Sequence, residues 1–281
     1  MKFVLYSDRN YESMVEAFLI SRKYAGAEDI PVLFYSVGFK CDLDYPNLEK
    51  IEWDFNPDLP DMTYYKPDIL IDALNYGDEI CYMDSDIVLG KRFDQSVLSN
   101  TNGDYPISSS GPQEFMWRWE SIDGITYRYD EKKLMNYFGI RERSCTYLWA
   151  SMISYNKNCM DFLLEWKSIL LNPYLLMNKK EYFPMREETA YNVTLWKRKC
   201  EGYLDLVFFN TISYDSFIAV ETDSLQSKEM YRDYAEDNMD PSLYETLEDS
   251  NKVLFYHGFK PGEDLDNVVT WMKERTNGEE V

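Results

Sequence analysis

The sequence is poor in the residues that divide a chain into pieces: 12 glycines and 11 prolines are spread over 281 residues, and no Pro/Gly/Ser-rich linker interrupts them. Its length buries one large core or two small ones, so one continuous domain with a C-terminal extension is expected, divided at 1–215 and 216–281. Cysteine is sparse as well. Cys41, Cys81, Cys145, Cys159 and Cys200 are odd in number and scattered, without CxxC spacing, which excludes a disulfide scaffold and fits a reducing cytoplasm. Positive charge is short, with 29 Lys and Arg against 50 Asp and Glu and a formal charge of −21. Such a surface repels nucleic acid and anionic membrane before any specific contact can form. Long hydrophobic runs are missing too. Met1 leads almost directly into Phe3-Val4-Leu5-Tyr6, with no signal peptide, and later runs are broken well short of the roughly 20 residues a membrane span needs. A soluble protein is expected.

What is present is a large core, with 45% hydrophobic and 16% aromatic residues. Apolar runs at 3–6 and 32–37 flank an amphipathic stretch from Tyr11 to Tyr24, the alternation of βαβ units and a mainly parallel sheet. A third strand is expected at 50–53, then a Pro-bearing loop at 56–61. Lys66-Pro67 opens a helix carrying Ile69, Leu70, Ala73 and Leu74, and Gly77-Asp78 stops it. Ile80-Cys81-Tyr82-Met83 is a short buried strand, so Asp84-Ser85-Asp86 falls at its carboxyl end, the edge where open α/β sheets bind ligands. Further on, a helix is expected near 93–98, strands near 105–109 and 148–155, helices over 159–171 and 186–197, and strands over 204–209 and 253–256. The aromatic and charged region 114–144 reads as a hairpin with one packed face or as a platform for sugars, through Trp117, Trp119, Tyr127 and Tyr129. The acidic segment 221–251 reads as a solvated surface or a lid, because its carboxylates lack EF-hand spacing.

Two features carry chemistry. Asp84 and Asp86 can converge on one hard cation, and a divalent ion there turns a repulsive acidic pocket into a diphosphate site; each opposite-charge contact at about 4 Å is worth roughly 4 kcal/mol before desolvation. An acidic surface turn also produces Asp-x-Asp, but not usually between Ile80–Met83 and Ile87-Val88-Leu89. His257, the only histidine, ends the last apolar strand within Phe255-Tyr256-His257-Gly258-Phe259-Lys260-Pro261. A lone histidine is commonly structural; the flanking Gly258 and nearby Lys260 favour a ligand role for a neutral imidazole.

The order Lys66-Pro67, a helix, Tyr82-Met83-Asp84-Ser85-Asp86, then Glu187-Glu188 with Asn192, and finally His257-Gly258 with Lys260-Pro261 resembles the glycogenin-like and bacterial galactosyltransferase-like GT-A glycosyltransferases. The resemblance spans most of the chain, in short pieces. It implies an α/β, GT-A type, Rossmann-like mixed sheet, mainly parallel and flanked by helices, and a hexosyltransferase that retains anomeric configuration. The donor is a nucleoside diphosphate sugar, UDP-hexose, and the acceptor a hydroxyl on a glycan. It implies Mn²⁺ or Mg²⁺ on Asp84, Asp86 and His257, with Lys260 on the diphosphate and Lys66 and Ser85 in the donor site. Tyr6, Ser7 and Asp8 then meet base and ribose, Tyr6 by stacking, although Ser-Asp at a strand end is also an ordinary turn. Glu188, with Glu187 beside it, is the candidate general base, nucleophile or electrostatic stabiliser; an acidic helix start explains Glu187 equally well and Glu188 less well. Two departures stand out. Leu148-Trp149-Ala150-Ser151 replaces an Asn-Ala-Gly-like turn, and Glu187-Glu188 replaces an acidic-Gln pair. A sugar-phosphate nucleotidyltransferase is a second reading, disfavoured because Ser7-Asp8-Arg9-Asn10 is not a Gly-rich phosphate loop. A non-catalytic carbohydrate- or Ca²⁺-binding protein is a third.

Overall fold

The computed structural model describes residues 1–91, 93, 103–108, 131–145, 148, 150–178, 186–200, 207–211, 253–257 and 263–278. For 131–133, 186, 207–211, 253–257, 263–265 and 277–278 it describes the main chain alone. β1 (Lys2–Ser7) lies between β2 (Val32–Val37) and β4 (Glu79–Met83), and β3 (Leu48–Trp53) follows outside β2, all four parallel. β7 (Met152–Asn156) runs antiparallel beside β4, and β6 (Ile107–Ser108) closes the six-stranded sheet in the order β3-β2-β1-β4-β7-β6. β2 is buried along its whole length and β1 at every residue after Lys2, because helices cover both faces of these inner strands. β3 stands at the edge and exposes Glu49, Lys50 and Glu52, charges that keep another chain from pairing with it.

Among the described residues the helices are α1 (Glu12–Tyr24), α2 (Lys66–Ala73), α3 (Glu131–Tyr137), α4 (Met160–Leu170), α5 (Pro173–Met177), α6 (Arg186–Arg198) and α7 (Glu263–Gly278). Strand alternation splits the core in two. Val4, Tyr6, Leu33, Tyr35, Ile80 and Tyr82 join Ile69, Trp166, Tyr191 and Trp196 on the side of α2, α4 and α6. Phe3, Leu5, Phe34, Cys81 and Met83 join Val15, Phe18 and Leu19 of α1 on the other. After β2 the chain turns at Gly38, whose φ is 73° and whose Cβ position lies 3.0 Å from the Phe55 Cβ, so a side chain there meets both strain and collision.

A second, three-stranded sheet pairs β5 (Val88–Leu89) antiparallel with β9 (Val253–His257), and β9 parallel with β8 (Val207–Thr211). Ser21 of α1 anchors it, since its Oγ accepts the Leu89 N–H at 2.9 Å. α7 lies on α1, with Val268 and Met272 against Met14, Ala17, Ile20 and Tyr24. The short β5, α5 and the C-terminal α7 were not expected from periodicity. The expected strand from 148 begins only at Met152, because side chains rather than a neighbouring strand take up the main-chain groups of 148 and 150, as shown below. Of region 114–144, residues 131–137 form a helix, α3, instead of a hairpin arm. Trp117, Trp119, Tyr127, Tyr129, the segment 221–251 and all of the expected helix near 93–98 except Phe93 lie outside the described residues. No described helix is long and apolar enough to cross a membrane.

Candidate active site

The parallel strands deliver their carboxyl ends to one edge, at Ser7, Val37, Trp53 and Met83. The chain turns directly after Met83, with the Ile87 N–H bonded back to the Asp84 carbonyl at 3.2 Å and Ser85 and Asp86 at the centre of the turn. Buried Tyr82 and Met83 before it, and buried Ile87, Val88 and Leu89 after it, hold this acidic turn inside the fold, with Asp84, Ser85 and Asp86 all half-buried. The Asp84 N–H also bonds to the Ser151 carbonyl at 2.8 Å, which carries the β4–β7 register one residue past Met83 and Met152.

Lys66 lies beneath this turn. It is 1% exposed, and its ammonium is 3.0 Å from Asp84 Oδ1, 2.9 Å from Glu187 Oε1 and 3.0 Å from the Ala150 carbonyl oxygen. Burial disfavours the charge, but the carboxylates of Asp84 and Glu187 outweigh it and hold the ammonium well above its ordinary pKa. The Nζ also stands 4.8 Å over the Tyr82 ring, and the Tyr82 hydroxyl donates to Asp84 Oδ1. Burial, reinforced by the Asp84 charge, pushes the Tyr82 phenol well up, so it stays a donor. Lys66 is therefore an internal cation whose donors are committed to Asp84, Glu187 and Ala150, where the sequence led to the expectation of a donor-site contact.

Tyr6 is corrected in the same way. It is 7% exposed, its ring stacks on Tyr82 at 5.8 Å, and burial pushes its phenol up. It is a core residue and not a platform for a base. Tyr11, 43% exposed in the turn after β1, is an open aromatic at that edge, lying just ahead of α1 and not in it. Asp8 caps this turn through Oδ1, which accepts the Asn10 N–H at 2.9 Å. Ser7 is 4% exposed, and its hydroxyl has no hydrogen-bond partner among the described residues.

The first turn of α6 brings the remaining carboxylates. Trp166 Nε1–H donates to the Glu187 carbonyl at 2.9 Å and fixes the helix start against α4. Glu188 Oε2 accepts the Ala150 N–H at 3.2 Å. One turn on, fully buried Asn192 donates to the carbonyls of Leu148 at 2.7 Å and Glu188 at 2.9 Å, and accepts the Leu148 N–H at 2.7 Å. The helical period, i to i+4, was the available signal for Asn192 acting with Glu188.

His257 ends β9. The pairs Leu89↔Phe255 and Val88↔Tyr256 step next to Ile87 opposite His257, so its main chain is level with the residue after Asp86. The His257 side chain and Lys260 lie outside the described residues, and among the described residues no three His, Cys, Asp or Glu groups converge as a metal cage. Asp84 and Glu187 share the Lys66 ammonium, and Asp86 and Glu188 follow them in the same turn and the same helix start. That excess of oxygen-bearing negative charge suits a hard divalent cation.

This sheet order, with an acidic turn after the fourth parallel strand and a small second sheet behind it, defines the GT-A fold. The galactosyltransferase LgtC, solved with donor and acceptor sugar analogues, matches over 99% of this chain and 96% of its own, at a TM-score of 0.56 and 17% identity. The bifunctional glycosyltransferase WbbM matches over 98% of this chain at a TM-score of 0.55 and 12% identity, and this chain spans half of WbbM's length. No protein-family model and no curated protein matches the sequence, so the likeness is one of fold.

Proposed function

We propose that the chain is a glycosyltransferase that moves a hexose from a nucleoside diphosphate sugar, UDP-hexose, to a hydroxyl on a glycan. The register of β9 on β5 supports this reading most directly, because it brings the main chain of His257 level with Ile87, the residue after Asp86, from some 170 residues away. In this reading those three residues hold Mn²⁺ or Mg²⁺, which when bound neutralises charge developing on the leaving diphosphate. LgtC, a galactosyltransferase solved with donor and acceptor sugar analogues, supports the choice of reaction.

The chain's own residues divide the work. Lys66 sits behind Asp84 and Glu187, fixing both carboxylates while leaving the edge acidic enough to require a metal. Tyr82 holds Asp84 from the second side. Tyr11 offers an open ring for the base, with Ser7 and Asp8 beside it for base and ribose, Ser85 in the donor site, and Lys260 for the diphosphate. Glu188, oriented by the Ala150 N–H, faces the anomeric carbon as charge stabiliser or as nucleophile, and the nucleophilic role gives retention by double displacement. Asp86→Asn should abolish Mn²⁺-dependent UDP binding in calorimetry together with donor hydrolysis. If both survive unchanged, the metal reading is wrong.

A further inference from the structure

Cys145 and Cys200 have no part in the acidic edge, yet the fold brings them to one place. Cys200 follows α6 directly, and its N–H bonds back to the Leu195 carbonyl at 2.9 Å. Lys199 before it takes φ 56°, so the chain turns sharply at the helix end. The segment 143–145 lies across that end. Ser144 Oγ donates to the Cys200 carbonyl at 2.7 Å, Trp196 Nε1–H donates to the Cys145 carbonyl at 3.1 Å, and the Arg143 guanidinium stands 5.8 Å from the Trp196 ring centroid. Three contacts from three successive residues thus set 143–145 beside 196–200.

The thiols are close enough to act on one another and on a shared neighbour. Burial raises the Tyr191 phenol, and charge on Cys145 and on Cys200 raises it further. Burial likewise pushes the Cys200 thiol up to about 12, with Arg198 opposing and Asp104 and Cys145 adding to the rise. Access divides the pair. Cys145 is half-buried and open to a small oxidant, whereas Cys200 is 6% exposed and sheltered beside it. That is the arrangement of an attacking and a resolving thiol.

We propose that Cys145 and Cys200 form an oxidation site, a dithiol that a peroxide converts into a disulfide across the end of α6, whatever reaction the acidic edge performs. The Cys145 sulfur takes one peroxide oxygen and becomes a sulfenic acid, with one water released. The Cys200 sulfur then attacks that sulfur, the S–O bond breaks, and the hydroxyl leaves as water with the Cys200 thiol hydrogen. Two thiols are oxidised and one peroxide is reduced to two waters. The bond fastens a unit already joined at its other end, where Asn192 holds Leu148 and Glu188 holds Ala150.

The test treats the reduced full chain with one equivalent of hydrogen peroxide and titrates its thiols in denaturant. The count should fall from five to three, and a dithiol reductant should restore it. Peptide mapping should join Cys145 to Cys200 in a chain that runs as a monomer without reductant. The oxidised protein should melt several degrees above the reduced one, because the cross-link closes the loop 146–199 in the unfolded chain. Cys145→Ser, altered at the half-buried position, should keep all four of its thiols under the same treatment. Cys200→Ser should stop at the Cys145 sulfenic acid, trapped as its dimedone adduct. A wild-type count that stays at five, oxygen gained without a cross-link, a different pair in the map, or an oxidised protein that melts lower than the reduced one overturns the assignment.

Discussion

At the scale of single residues, the balance at Lys66 decides what the acidic edge can do. One buried ammonium serves two carboxylates and a carbonyl, so removing it leaves Asp84 and Glu187 facing each other without compensation. Lys66→Met is expected to destabilise the protein by about 3–5 kcal/mol in urea unfolding, because an uncompensated buried charge costs that much. A residue that only touched the diphosphate would lose UDP affinity with stability unchanged, and the two outcomes separate cleanly. The thiols follow burial in the same way. Cys41 is raised, Cys81 and Cys200 are pushed up to about 12 and Cys159 to about 11, chiefly by burial, whereas Cys145 is only half-buried. A thiol reagent at pH 8 should modify no more than Cys145 promptly in the native protein and all five cysteines in denaturant.

At the scale of elements, α6 and the segment 148–151 form one unit. Asn192 occupies a position that the helical period turns inward, and it satisfies both peptide groups of Leu148 as well as the Glu188 carbonyl. Asn192→Ala orphans the Leu148 N–H and carbonyl, and a loss of about 2–5 kcal/mol is expected from the burial of unpaired polar atoms, measured by urea titration. Transfer should fall with it, because Ala150 and Ser151 then lose the support that holds them against Glu188 and Asp84. Periodicity made α1, α4 and α6 legible to within two residues at either end, since each carries a regular apolar face, and it placed the start of α2, which ends at Ala73 ahead of the expected stop at Gly77-Asp78. It did not reveal α7, where buried Val268 and Met272, with Val269 and Trp271 packed beside them, are the helix's contacts in the third core cluster.

At the scale of the whole molecule, the core is full of phenols as well as hydrocarbons. Burial raises Tyr82, Tyr155 and Tyr191 well above the ordinary value of 10.0. A folded-state pKa above the unfolded one means that these groups contribute stability that is intact below pH about 10 and is lost as the pH rises further. Alkaline titration should therefore show the buried tyrosines ionising together with loss of circular dichroism rather than ahead of it, followed at 295 nm. Ionisation of all 24 tyrosines with the fold intact would contradict the buried hydroxyls described here.

The amino-acid sequence alone determined the alternation of strand and helix, the parallel sheet and the place of Asp84-Ser85-Asp86 at a strand's carboxyl end, because local periodicity and turn chemistry are written along the chain. It also singled out Lys66, Glu187, Glu188 and His257, but only as types at suggestive positions. Which partner each residue meets was decided by tertiary structure. Lys66 turned inward because two carboxylates from β4 and α6 converge on it, Tyr6 stacked on Tyr82 because alternation sends both to the same face, and Tyr11 was left open where Tyr6 was not. The same holds for Asn192, whose role arises only when α6 turns it onto both peptide groups of Leu148. Contacts between residues distant in sequence have no periodic signature, so the fold must close before the chemistry of this edge exists.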